Sequence, residues 1–164
     1  MLLCIAVGVM AQTEQGKIRI GGSSSLDFIN LKHDGADGST NMFDLNLNGG
    51  YFIMDNLSID VGLGFSMEKY SEANDASTTF TGEIGARYYL PVNVFAGAGF
   101  DFMSYKEGES VSGTGVKLKV GYSWFVNDNI AIEPIIGYRI GLTDKDKYTK
   151  YNQISAQVGI SLFF

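Results

Sequence analysis

The last fourteen residues, Tyr151 to Phe164, read YNQISAQVGISLFF, and they constrain the fold more than any other stretch. Ile154, Ala156, Val158, Ile160, Leu162 and Phe164 share one face of an extended strand, and Gln153, Ser155, Gln157, Gly159 and Ser161 share the other. Side chains of a strand alternate with period two, so this segment is an amphipathic strand whose apolar edge runs unbroken to a terminal Phe. Such a strand needs neighbours of the same kind.

The rest of the chain supplies seven more. The expected strands are Lys17 to Phe28, Met42 to Phe52, Leu57 to Ser66, Thr79 to Tyr88, Val94 to Phe102, Val116 to Trp124 and Ile130 to Leu142, each with an apolar and a polar or glycine-rich face. Between them lie the polar loops LKHDGADGST, EKYSEANDAST, KEGESVSGTG and TDKDKYTK, alternating with tight turns at Ile53 to Asn56, Leu90 to Asn93 and Val126 to Asn129. Pro134 cannot donate to a ladder and predicts a bulge or local break. Asn56, Asn93 and Asn129 recur 37 and 36 residues apart, one at each tight turn. The aromatic doublets Tyr51-Phe52, Tyr88-Tyr89 and Trp124-Phe125 precede these turns and Phe163-Phe164 ends the chain, which predicts an interfacial girdle at one end, with Tyr51, Tyr88, Trp124 and Phe164 as its members.

Composition agrees with an all-β chain: 21 Gly and 2 Pro in 164 residues, 13% aromatics, and no heptads. A formal charge of -6 argues against a nucleic-acid partner, which would need a basic patch. The opening MLLCIAVGVMAQ is apolar and too short to cross a bilayer. Residues 1–11 are expected to be the remainder of a signal peptide cleaved before Gln12, and residues 12–164 the folded domain. Cys4 would leave with the signal, and MLLC lacks the small residues of a lipoprotein box. An exported chain without disulfides needs another source of cohesion, which a closed hydrogen-bonded barrel provides.

Two barrels fit the alternation: a soluble lipocalin-like one with its apolar face inward, or a membrane one with that face outward. The apolar face carries no Asp, Glu, Lys or Arg, the other face is mostly small, and strands of nine to thirteen residues match the ~9 to 11 needed to cross a bilayer at a tilt. No run of ~18 apolar residues exists, which excludes a helical membrane protein. The expected fold is an eight-stranded antiparallel up-and-down transmembrane β-barrel.

On this whole-chain pattern, Lys17 to Phe164 resembles the eight-stranded outer-membrane β-barrel family of OmpA and OmpX type. A counterpart of the periplasmic domain of OmpA is not expected, and the likeness is to OmpX or the barrel domain alone. The resemblance implies the outer membrane of a Gram-negative bacterium, outer-membrane lipid and lipopolysaccharide as surroundings, barrel-assembly machinery reading the C-terminal strand, and a monomer.

The polar face would put Arg19, Arg87, Lys117, Lys119 and Arg139 inside with Asp27, Asp44, Asp60, Glu83, Asp101 and Glu133. Buried charges must be paired or hydrated. The expectation is a salt-bridged plug centred on Glu83, Lys117, Lys119, Asp101 and Glu133, with Arg87 toward the tight turns; the alternative is a narrow channel for small solutes or apolar compounds. No catalytic site, metal or cofactor is expected. His33 stands alone in a polar loop without a triad signature, and Asp144-Lys145-Asp146 lacks the Gly and Glu of a calcium loop. Gly97-Ala98-Gly99 has no helix after it and reads as a lumen-facing glycine run. The long loops carry lysines and Tyr70, Tyr105, Tyr148 and Tyr151, and are the expected contact surface.

Overall fold

A computed structural model describes residues 12–25, 40–70, 77–107, 109–142 and 152–164. The expectations for the 1–11 segment, Cys4, Asp27, His33, Asp144 to Asp146, Tyr148 and Tyr151 lie outside these residues, as do those for the side chains of Asp44 and Tyr70.

Nine strand segments build one sheet: β1 Ile18–Ser25, β2 Thr40–Met54, β3 Leu57–Tyr70, β4 Ser77–Tyr89, β5 Val94–Glu107, β6 Glu109–Tyr122, β7 Trp124–Phe125, β8 Ile130–Gly141 and β9 Asn152–Phe163. Sequence neighbours pair antiparallel except β6 and β7, and β1 pairs with β9, from Arg19 opposite Phe163 to Ser25 opposite Gln157, which closes the sheet. β6 and β7 both pair with β8 in one register, Gly121 opposite Ile135 and Trp124 opposite Ile132, so they form a single stave and the barrel has eight.

Pro134 explains the interruption. The two positions between those pairs set Tyr122 and Ser123 against Pro134 and Glu133, where no ladder pairing occurs, because proline has no N–H to give. The register does not shift, so this is a break and not a bulge. Ser123 spans it with its side chain, donating from Oγ to Glu133 Oε1 at 2.6 Å. The bulge lies elsewhere, at Ile53, between the pairs Phe52–Ser58 and Met54–Leu57.

Several strands outrun their apolar pattern. β3 continues to Tyr70, and β5 and β6 form a ladder out to Glu107 opposite Glu109. The described residues of the third expected long loop, KEGESVSGTG, are therefore all strand. Ladder hydrogen bonds join backbone to backbone and are indifferent to polar side chains, so the hairpin persists where apolar alternation stops.

At the turn end, the three periodic asparagines share one task. The carbonyls of Asn56, Asn93 and Asn129 accept from the amides of Tyr89, Ser123 and Phe163, each at 2.8 Å, linking each turn to the stave beyond its neighbour in the chain. Asn56 and Asn93 reach this position with positive φ, 66° and 65°, where Asn is tolerated better than most residues. Asn129 does so without it and adds a side-chain bond from Nδ2 to the Phe163 carbonyl at 2.7 Å.

The apolar face is outside. Leu45, Leu47, Val61, Leu63, Ile84, Phe100, Val120, Ile136, Val158 and Ile160 are all exposed, and no charged residue interrupts them along the middle of the wall. A soluble protein of this size would have to bury such a surface. The buried residues, charged ones included, line the interior.

Candidate functional site: the closed lumen

The interior is layered, and the first layer was not visible as such in the sequence. Adjacent residues of a strand face opposite sides, so each aromatic doublet sends one ring out and one in. Tyr51, Tyr88, Trp124 and Phe164 point outward and are 50 to 64% exposed. Their partners Phe52, Tyr89 and Phe163 are buried inside, with Phe95 from β5 and the half-buried Phe125. Centroid separations are 5.6 Å for Phe52–Tyr89, 5.4 Å for Tyr89–Phe95, 6.4 Å for Phe52–Phe163 and 5.1 Å for Phe125–Phe163, within the range of favourable aromatic contacts. Ala131 and Ile135 complete this cluster. The doublets thus give a girdle and an aromatic floor at the turn end of the lumen, and only their alternation could have signalled the floor.

On the floor lies a ring of four charges. Arg87 stands over Phe95, its guanidinium carbon 4.2 Å from the ring centroid, and donates to the Tyr89 hydroxyl at 3.2 Å. Its Nε reaches Asp60 at 3.1 Å and its Nη1 reaches Glu133 Oε2 at 3.1 Å. Arg19 donates from Nη2 to Asp60 Oδ2 at 2.9 Å and lies 4.0 Å from Glu133. Asp60 also accepts from Ser58 at 2.7 Å, and Glu133 accepts from Ser123 at 2.6 Å and Ser161 at 2.8 Å. Each carboxylate therefore has two or more charged or hydroxyl donors, the condition under which buried ions are tolerated. The four residues come from β1, β3, β4 and β8, so the ring crosses the lumen.

Above it sit two separate pairings. Lys117 and Lys119 of β6 share Glu83 of β4, Lys117 at 3.4 Å and Lys119 in a shorter contact. Arg139 of β8 donates from Nε to Asp101 of β5 at 2.8 Å. The expected single plug around Glu83, Lys117, Lys119, Asp101 and Glu133 is thus divided. Glu133 belongs to the lower ring with Arg87, Asp101 goes to Arg139, and only Glu83, Lys117 and Lys119 stay together.

Glycines make these reaches possible. Arg19, Gly50 and Asp60 are directly opposite one another on β1, β2 and β3; Asp101 of β5 is likewise opposite Gly115 of β6, and Arg139 of β8, two residues along from Gly141, the partner of Gly115, reaches Asp101 past that glycine. A Cβ on Gly115 would lie 2.6 Å from Asp101 Oδ1 and 2.9 Å from Arg139 Nη2, and one on Gly50 would meet Asp60 Oδ1. Gly97 and Gly99 of β5 are paired with Lys119 and Lys117; a Cβ on Gly99 would come within 3.4 Å of Glu83 Oε1, and one on Gly97 would crowd the Ala86 carbonyl beside Arg87. The glycine run is therefore a spacer in the lumen wall.

Above the ring the lumen widens into a cavity of about 430 Å³, bounded toward the loop end by Ser66, Thr79, Tyr105 and Gln153. Tyr105, expected on a loop, lies in β5 and lines this cavity. Among the described residues no group of His, Cys, Asp and Glu is arranged to hold a metal ion.

An eight-staved antiparallel barrel with an apolar outer wall and a charged, glycine-spaced interior defines an outer-membrane β-barrel protein. The chain belongs to the outer membrane protein beta-barrel domain family, whose pattern it matches over residues 1–164. Its structure is similar to that of Ail from Yersinia pestis in a phospholipid bilayer nanodisc, with a TM-score of 0.62 and 14% identity over 92% of this chain and 100% of that one. It is also similar to OprG from Pseudomonas aeruginosa, with TM-score 0.56 and 9% identity over 93% and 98% of the two chains. Neisserial surface protein A gives 0.55 and 13% identity over 90% and 96%. At these identities the likeness is one of fold. No curated protein sequence matches the chain.

Proposed function

We propose that the protein is a non-conducting, non-enzymatic barrel of the Gram-negative outer membrane, with a structural or surface-interaction role exercised through the loops at the end opposite the aromatic floor. The observation that carries this reading is the buried ring of Arg19, Asp60, Arg87 and Glu133 resting on Phe52, Tyr89, Phe95 and Phe163. Every one of these side chains is less than a tenth exposed and is committed to a neighbour across the lumen, so a permeating ion would have to separate buried ion pairs. The same sealing argues against catalysis there: Ser58, Ser123 and Ser161 lie beside carboxylates but are buried with no space for a substrate.

In this reading the apolar wall contacts outer-membrane lipid and lipopolysaccharide, with Tyr51, Tyr88, Trp124 and Phe164 at the periplasmic interface. β9 is what barrel-assembly machinery would read, and the chain acts as a monomer without a cofactor. Residues 1–11 would be removed before Gln12; in support, the folded body is engaged from Thr13, which is buried and donates to Asn56 Oδ1 at 2.6 Å.

A narrow channel is the second reading, favoured by the cavity above the ring. The test is electrophoretic mobility of the refolded chain with and without boiling, combined with conductance in planar bilayers. A heat-dependent shift without conductance is the expected result, and steady single-channel currents would replace closure with the channel.

A further inference from the structure

The cavity above the ring is unequally charged. Among the described residues four cationic side chains line it, Arg87, Lys117, Lys119 and Arg139, against two carboxylates, Asp60 and Glu83. Arg87 and Arg139 are held by Asp60, Glu133 and Asp101. Lys117 and Lys119 differ: two ammonium groups share the single carboxylate of Glu83, and their side chains are 29% and 23% exposed where the arginines are nearly sealed. An ammonium has three donors, and one bond to Glu83 leaves donors on each lysine directed at the cavity.

Among the described side chains the lining carries more cationic groups than carboxylates, and an ammonium inside a barrel wall that faces hydrocarbon is costly unless a carboxylate, water or a counter-ion meets each of its donors. The cavity has volume for water or for a counter-ion. At ~30 Å³ per water it holds on the order of a dozen, which is enough for one small oxyanion and the remainder of its hydration. Neutral polar side chains share the lining of the cavity with the lysines, among them Asn46, Thr81 and Ser155.

We infer that Lys117 and Lys119, at the cavity above the ion-pair ring, form a binding site for a small free oxyanion of the phosphate, sulfate or carboxylate class. Glu83 sits between the two lysines as a built-in competitor, occupying donors that the ligand would otherwise take. The site is a blind vestibule that ends at the ring, and it does not depend on whether the floor conducts.

The test uses the refolded chain in maltoside micelles, which carry no phosphate, with inorganic phosphate titrated at constant pH and ionic strength while backbone amide resonances are followed. The expected result is a saturable shift centred on Glu83, Gly97, Gly99, Lys117 and Lys119. Exchanging both lysines in K117Q/K119Q weakens binding by about tenfold or more, as removal of charge-assisted hydrogen bonds should. E83Q provides the opposite sign and tests the idea even if the lysine variant folds poorly: freeing both ammonium groups tightens binding several-fold. A short-chain phosphatidylglycerol in place of phosphate leaves these resonances unmoved. The inference is overturned by the absence of a saturable shift, by a shift that persists in K117Q/K119Q, by unchanged or weaker binding in E83Q, or by the lipid reproducing the shift.

Discussion

Arg19 and Asp60 meet at 2.9 Å across a strand that separates them, because Gly50 on that strand has no side chain to stand between. Gly50→Ala places a methyl group against Asp60 Oδ1 and should cost about 1–3 kcal/mol, the usual penalty for overpacking. Gly82→Ala is the control, since a Cβ there meets nothing within 4 Å, and it should be neutral or slightly stabilising. Urea unfolding in micelles, followed by tryptophan fluorescence, distinguishes the two; equal losses would refute the spacer role of Gly50.

Glu133 accepts from Arg87, Ser123 and Ser161, and among the described residues it is the carboxylate to which both serines donate. Glu133→Ala removes one of the two carboxylates that hold Arg87 at the floor, and breaking a buried pair from one side costs about 3–5 kcal/mol. Exchanging Arg87 and Glu133 together for Met should lose less than the sum of the single changes. A double-mutant cycle on unfolding free energies measures this coupling, and strict additivity would show the pair to be energetically independent.

Asn56 and Asn93 share a backbone conformation but not a side-chain role. The Oδ1 of Asn93 is buried without a hydrogen-bond partner among the described residues, whereas that of Asn56 accepts from Thr13. Asn93→Gly should therefore preserve or slightly raise stability, and Asn93→Ala should cost about 1 kcal/mol for the left-handed conformation. Asn56→Gly should lose about 1 kcal/mol through the Thr13 bond, and Thr13→Ala should lose a similar amount. Thermal midpoints of unfolding by circular dichroism would report these differences, and indistinguishable glycine variants would contradict them.

Ile84 is 58% exposed on the middle of the outer wall, opposite Val61. Ile84→Arg should destabilise the barrel in lipid vesicles by about 2–4 kcal/mol, and Tyr88→Arg, at the turn-end girdle, by about 0–1 kcal/mol. The comparison of unfolding free energies in the same vesicles locates the bilayer on the wall. Equal costs at the two positions would mean that the apolar band is not centred on Ile84.

The eight staves, their faces and the tight turns were readable from alternation alone, because which side a residue takes depends only on its place in its own strand. That rule splits each doublet, setting Tyr51, Tyr88, Trp124 and Phe164 on one face and Phe52, Tyr89 and Phe163 on the other; which face is outward came from the lack of charge on the apolar one. Strand ends were less legible: β5 and β6 extend through Ser, Gly and Thr because backbone pairing needs no apolar face. Pairing among the luminal charges was not legible at all. Glu133 could be placed inside the barrel from its own strand, but that it meets Arg87 of β4 and not Lys117 of the neighbouring stave depends on the relative register of strands far apart in the chain. That register is set when β1 closes on β9, and the distances between charges across a closed lumen exist only after closure.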